Sequence, residues 1–319
     1  MPLNFFCKSF FLAVCIGLWA VIVRADFPHQ VKRSADLEIL QLYQTLNLKQ
    51  PIPLPDRIVQ ISGQFLAHPY ELGSLGEGER GQYDQMPLYR TDAFDCETFV
   101  DTVLALALSH DLPQFQQVIN QIRYHNGHVA YTQRNHFTCL DWNRNNQRQG
   151  FVKDITLTLG KNTVKFARAY IDKPSWYRHR SLKSIRLKHA ESNPLREKRL
   201  KELQSAGAQI PGATAIIPYI PLTALFGPSG KANQALFQQI PNASIIEIIR
   251  PNWDLTSAIG THLNVSHLGF AIWHHGTLYF REASSHLEKV VDIPMEDYLR
   301  ETLQSPSIKG INVQAALTH

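Results

Sequence analysis

Apolar residues recur at helical spacing through the first half of the chain and gather into short β-prone runs in the second. Over residues 26–50, Leu37, Ile39, Leu40, Leu42, Tyr43 and Leu46 supply one face of a first helix, broken by the proline-rich stretch from Pro51 to Asp56. Residues 57–67 predict a second helix that stops at His68-Pro69. The glycine-rich stretch from Tyr70 to Gly78 predicts a loop, and residues 86–94 a short strand leading into Asp95. Phe99, Val100, Val103, Leu104, Leu106 and Ala107 mark a third helix, with Asp95 as its N-cap and Cys96 as its first residue. Phe115, Val118, Ile119 and Ile122 mark a fourth over Leu112–Tyr124.

From residue 209 the period shortens. Ala213–Ile220, Ser244–Ile249, Leu268–Trp273 and Leu278–Arg281 are β-prone runs separated by Pro, Gly and Asn. Helices first and strands later predict an α+β fold rather than a doubly wound sheet. With 319 residues and 44% hydrophobic content, the chain can bury a sizeable core. Its net charge of +5 is concentrated in a basic segment, residues 173–204, which reads as a solvated helical face. That segment holds no nucleic-acid reading motif, so no nucleic-acid partner is expected. The run from Tyr131 to Asn146 is dense in aromatic and hydrogen-bonding groups and suits a ligand wall.

Lys8, the apolar run Phe10–Val23 and the small residue Ala25 form a secretory-signal pattern, cleaved after Ala25. The run is short of the ~20 residues a membrane span needs, so no stable insertion is expected after cleavage. This predicts an exported, periplasmic or secreted protein with residues 26–319 as a single catalytic domain, working as a monomer. Cys7 and Cys15 leave with the signal; Cys96 and Cys139 remain, either bridged or apart.

A thiol at a helix start meets the positive end of the macrodipole and unpaired N–H groups, which favour thiolate and prepare a nucleophile. A base is available downstream. Residues 265–273 and 277–284 flank a turn at His274-His275-Gly276. A two-residue turn at 274–275 or at 275–276 preserves pairing parity. Glu282 then lies opposite His267 or opposite Gly269, on the same face in either register. An imidazole oriented by a carboxylate follows the logic of a catalytic triad.

These residues carry a resemblance. Asp95-Cys96-x-x-Phe99-Val100, followed by Ser266-His267-Leu-Gly269-Phe270, resembles the NlpC-type branch of papain-like cell-wall cysteine peptidases. More narrowly, the chain resembles the N-acetylmuramoyl-L-alanine amidase-like family first catalogued as a domain of unknown function. Phe65-Leu66-x-x-Pro69-Tyr70, Tyr131-x-x-Arg134-Asn135-His136-Phe137, Asp141-Trp142, Gly150-x-x-x-Asp154-Ile155-Thr156 and Tyr219-Ile220-Pro221 extend it over roughly residues 57–300. The resemblance implies a papain-like fold, with the cysteine helix packed on a small antiparallel sheet or open barrel. It implies hydrolysis of the N-acetylmuramoyl-L-alanine amide in murein peptides through a Cys thioester, with muropeptides as partners and no metal or cofactor.

Cys96 matches the nucleophile and His267 the base. Relatives commonly carry histidine at the third position, where this chain has Glu282. The backbone N–H of Cys96 is the first oxyanion donor, with Tyr70 and Tyr83 as candidates for the second. Arg134 and His136 are candidates to hold a substrate carboxylate, and Tyr131 and Trp142 to stack on sugar or peptide. A γ-D-glutamyl-diamino-acid endopeptidase and an inactive murein-binding module remain as alternatives.

Overall fold

The computed structural model describes residues 27–46, 52–187 and 193–318; the predicted signal segment lies outside them. Four helices open the chain: α1 (Phe27–Thr45), α2 (Leu54–Gln64), α3 (Cys96–Leu108) and α4 (Leu112–Arg123). Helix α2 begins at Leu54 rather than at residue 57, because Pro55 falls in its first turn. A proline there forfeits no hydrogen bond. Helix α3 is buried on every side from Thr98 to Ala107 and forms the centre of a core shared with α1, α2, α4 and the strand residues Leu268, Phe270 and Ile272.

The start of α3 is fixed by a reciprocal cap. The Asp95 carboxylate accepts the Thr98 N–H at 2.8 Å, and the Thr98 hydroxyl accepts the Asp95 N–H at 2.9 Å. A cap of this kind contributes about 1 kcal/mol and sets Cys96 as the first helical residue.

Residues 86–94 form no strand. A single parallel bridge joins Phe94 to Tyr70, and the rest of the segment turns inward. Tyr89 bonds Asp36 there, and Arg90 bonds Glu71 and Asp92. The apolar residues of the segment mark burial, not pairing.

Eight strands follow: β1 (Val152–Asp154), β2 (Lys165–Ile171), β3 (Ala213–Pro221), β4 (Ile245–Leu255), β5 (Thr261–His274), β6 (Thr277–Ser284), β7 (Lys289–Pro294) and β8 (Gly310–Ala316). They pair in antiparallel fashion in the order β2-β3-β8-β4-β5-β6-β7, with β1 also on β8. The fold is therefore α+β with an open sheet of eight strands, larger than the small one the resemblance implies and with more strands than the four β-prone runs marked. Of the missed strands, β1 is only three residues long and β8 carries polar residues at buried positions. In β8, for example, Asn312 and Gln314 are fully buried; Asn312 donates to Asp154 at 2.7 Å and to the Pro218 carbonyl at 2.9 Å. The face of the sheet away from α3 buries Ile246, Ile248, Ala271 and Phe280 against the helix Met295–Thr302.

The basic segment contains the helices Lys173–Arg178 and Asn193–Ala208. Several of its charges are tethers rather than solvated. Lys173 bonds Asp141 at 2.6 Å, and Arg196 bonds the Leu182 and Ile185 carbonyls.

Candidate active site

Strands β5 and β6 meet in a tight turn. The register Phe270↔Arg281 to His274↔Thr277 leaves His275 and Gly276 as the two turn residues, both at positive φ. Extending that register sets Glu282 opposite Gly269 and diagonal to His267, on one face. The imidazole Nε2 of His267 meets Oε2 of Glu282 directly. Gly269 is required beside them: a Cβ there would come within 2.5 Å of the Arg281 carbonyl and 2.8 Å of the Phe280 ring. That ring lies edge-on to His267, with centroids 5.7 Å apart.

Cys96 and His267 line one cavity of about 170 Å³, together with Glu97, His136 and Cys139. Both Cys96 and Cys139 are free thiols. Because Nε2 of His267 is committed to Glu282, Nδ1 is the nitrogen left to face a thiol.

The electrostatics differ from the helix-start expectation. The Cys96 thiol is pushed up, first by burial and then by the carboxylates of Asp95 and Glu97; contact with the Leu268 backbone only partly offsets this. Burial and the flanking acids act against the thiolate that the helix start alone would favour. Burial lowers His267 to about 4 and raises Glu282 to about 7. The pair Cys96–His267 therefore rests as neutral thiol and neutral imidazole near pH 7, not as thiolate and imidazolium.

The other predicted residues separate into two groups. Tyr70 stays at the site: burial, then Cys96 and Asp95, raise its hydroxyl to about 12 and keep it a donor. His136 lines the Cys96 cavity, but its Nε2–H donates to the Tyr131 carbonyl at 2.8 Å. Burial and the nearby Arg134 hold its imidazole well below its usual range, so it is neutral and offers a carboxylate no charge. Arg134 is already paired with Glu77 and Asp84, so its charge is spent inside the protein.

Trp142 is fully buried, with its indole N–H on Asp101 at 2.7 Å, and cannot stack on a ligand. Tyr83 and Tyr131 pack edge to face, with centroids 6.3 Å apart, and line a separate cavity of about 840 Å³. The two cavities are neighbours across the Tyr131–His136 ring contact, centroids 4.9 Å apart.

Much of the polar density after Tyr131 caps α4 rather than facing a ligand. Asn145 and Gln149 each donate to the Gln121 carbonyl at 2.8 Å, and Asn135 donates to the Ile122 carbonyl at 2.8 Å. These are last-turn acceptors without intrahelical donors.

Two residues at the site carry no local sequence signal. Tyr298 packs at a tilt against Phe280 with centroids 4.8 Å apart, and its hydroxyl is raised by burial and then by Glu282 and Cys96. Arg186 bonds Asp84 and the carbonyls of Gly73 and Leu75, tying down the loop that walls the 840 Å³ cavity.

Over residues 60–306 the sequence matches the AmiA-like family, described as N-acetylmuramoyl-L-alanine amidase-like. A Legionella pneumophila protein of the DUF1460 family is 48% identical, with a TM-score of 0.87 covering 91% of this chain and 97% of that one. An N-acetylmuramoyl-L-alanine amidase from Bacteroides uniformis is 24% identical with a TM-score of 0.56, covering 82% and 98%. A putative xylanase from Bacteroides fragilis is 25% identical with a TM-score of 0.54, covering 79% and 98%. No curated protein sequence matches the chain.

Proposed function

The chain belongs to the N-acetylmuramoyl-L-alanine amidase-like family, and from that premise we propose that it hydrolyses the amide between the lactyl group of N-acetylmuramic acid and L-alanine in murein peptides. One observation carries the assignment: Cys96, opening a capped helix, shares a cavity with His267, whose far nitrogen is held by Glu282. On this reading they serve as nucleophile, base and orienter, as in the papain-like, NlpC-type enzymes that the chain resembles.

In this reading Nδ1 of His267 takes the thiol proton as Sγ attacks the lactyl carbonyl. The first-turn N–H of Cys96 has no intrahelical acceptor and stabilises the developing oxyanion, with the Tyr70 hydroxyl as the second donor. The imidazolium returns the proton to the leaving amine of L-alanine as the C–N bond breaks. Water, deprotonated by His267, then attacks the thioester, releasing the lactyl carboxylate and restoring the thiol. Glu282 fixes the tautomer and stabilises the transient imidazolium. On the same reading the signal is cleaved and the mature chain works outside the cytoplasm as one catalytic unit.

The test is a defined muropeptide with the products weighed by mass spectrometry. Free stem peptide from the wild type and none from Cys96→Ala supports the amidase. Release of a diamino-acid-containing fragment from within the stem makes it an endopeptidase, and binding without any product makes it a binding module.

A further inference from the structure

Strands β2 and β3 depart from the alternation of a half-buried antiparallel pair, apolar inside and polar outside. Their register sets Phe166 opposite Pro218, Arg168 opposite Ile216 and Tyr170 opposite Thr214. The alternate residues turn inward, where Ala167, Ala169, Ala215 and Ile217 join a core with Cys139 and Val265. The outward set still carries three large apolar side chains: Phe166 is 61% exposed, Tyr170 54% and Ile216 46%. Ile216 lies diagonal to both rings, so the three form one patch rather than scattered single residues.

The charges around the patch have one sign. From Ile155 to Ile171 the chain carries Lys161, Lys165 and Arg168 and no acid, and from Gln209 to Gly230 it carries no charge at all. Arg144 donates to the Thr214 carbonyl at 3.4 Å, at the border of the patch, and shares a cavity of about 320 Å³ with Arg148, Lys173 and Ile210. Lys173 is paired with Asp141. Arg144 and Arg148 bond only carbonyl, amide and imidazole groups among the described residues, so no carboxylate neutralises them.

We infer that this face docks on an anionic phospholipid bilayer, with Phe166, Tyr170 and Ile216 in the interface and Arg144, Arg148 and Arg168 on headgroup phosphates. Exposed rings beside Lys and Arg are the composition of an interfacial anchor, whose apolar side chains partition while its cations meet acidic lipids. A second copy of the chain fits poorly, because a self-paired patch sets Arg168 and Lys165 against positive counterparts. A glycan strand fits poorly too: apart from Arg168, the outward residues offer its hydroxyl groups only the hydroxyls of Tyr170 and Thr214, with no carboxylate or amide. The contact is peripheral, since no helix among the described residues is long and apolar enough to cross a membrane. The face lies across β2 and β3 from the core that reaches the Cys96 cavity through Cys139 and Val265, so docking calls on no residue of the proposed reaction.

The experiment floats the protein, purified after export, with vesicles of phosphatidylcholine alone or of phosphatidylcholine mixed with phosphatidylglycerol. Binding to the mixed vesicles is expected, weaker by about tenfold or more on phosphatidylcholine alone or in molar salt. Phe166→Thr combined with Tyr170→Thr keeps β-prone residues on the strand and is expected to weaken binding by about tenfold or more. Arg144→Gln combined with Arg168→Gln is expected to weaken it by a few-fold. No binding to the mixed vesicles, or equal binding by the threonine variant with its melting temperature intact, overturns the inference. So does retention on isolated murein in place of vesicles, or a dimer in solution that the threonine variant dissolves. Turnover of a soluble muropeptide is expected to be the same in wild type and both variants, so vesicle binding and amidase activity fail separately. Turnover lost from a folded variant would make the face part of the substrate site and overturn its assignment to lipid.

Discussion

The two neighbouring cavities are built on different principles. The Cys96 cavity is set by regular elements: a helix start locked by a reciprocal cap, and two strands whose register is fixed by a two-residue turn. Its charges are suppressed, with thiol and imidazole both driven neutral by burial. The larger cavity is walled by loops, and buried charge holds those loops in place, with Arg134 and Arg186 converging on Asp84 and Arg134 also on Glu77. Reacting groups must hold to a fraction of an ångström, which repeated backbone hydrogen bonding supplies. A cavity wall can be built of loops, provided their backbone is pinned.

The largest expected effect breaks the first region and spares the second. Cys96→Ala should abolish stem-peptide release, and His267→Ala should lower kcat by about 10²–10⁴, the usual range for a general base. Undiminished stem-peptide release from Cys96→Ala would remove the thiol from the reaction.

The converse change breaks the second region through stability. Asp84→Ala leaves Arg186 without its carboxylate and Arg134 with only Glu77. It should cost about 2–3 kcal/mol in urea denaturation, below the value for a fully buried pair because Arg186 is a third exposed and can rehydrate. An unchanged midpoint would mean that the loop is held by something else.

What was legible in the sequence divides along the same line. Asp95 as a cap, Cys96 at N1 and the shared face of His267 and Glu282 depend on residues close in sequence, through capping and pairing parity. The fate of Arg134 depends on Glu77 and Asp84, 57 and 50 residues earlier. The burial of Trp142 depends on Asp101 across a helix packing that no local pattern reports. The thiolate expectation weighed the macrodipole but neither the desolvation of the thiol nor the two adjacent carboxylates. Strand β8 stayed hidden because its buried asparagine and glutamine look like solvent-facing residues until their partners on β1 and β3 are known.

A smaller effect sharpens the account of the Cys96 cavity. Glu282→Gln keeps the side chain's shape and removes the charge that fixes the His267 tautomer. It should lower kcat by roughly 10²-fold, the low end of general-base catalysis, with little change in KM. Smaller again is the response of the thiol. Iodoacetamide labelling of Cys96, followed by peptide mass, should be slower at pH 7 than that of an ordinary cysteine and should still be rising at pH 10. Glu97→Gln should speed it about three- to tenfold, on the order of 1 kcal/mol of screened repulsion. The gain should appear on the alkaline side, because burial and the adjacent Asp101 and Asp95 hold the Glu97 carboxyl up. A labelling plateau below pH 7 would restore the thiolate picture.

The smallest expected effect concerns stability against pH. His267 titrates at about 4 folded against 6.5 unfolded, so the unfolded chain takes up its proton first as pH falls from 6.5 to 4. Stability from that group is lost over this window. Glu282 titrates at about 7 folded against 4.5 unfolded, so the folded chain holds its proton first and stability rises as pH falls from 7 to 4.5. The two slopes oppose each other over nearly the same range, and the Nε2–Oε2 contact lets one proton serve both groups. Melting temperature of the wild type should therefore change little between pH 7 and 4.5 from this pair. Glu282→Gln removes one slope and leaves the other, so relative to wild type its melting temperature should fall progressively on acidification. Parallel curves for the two proteins would mean that burial does not shift these groups in opposite directions, and the neutral resting state drawn for the Cys96 cavity would lose its support.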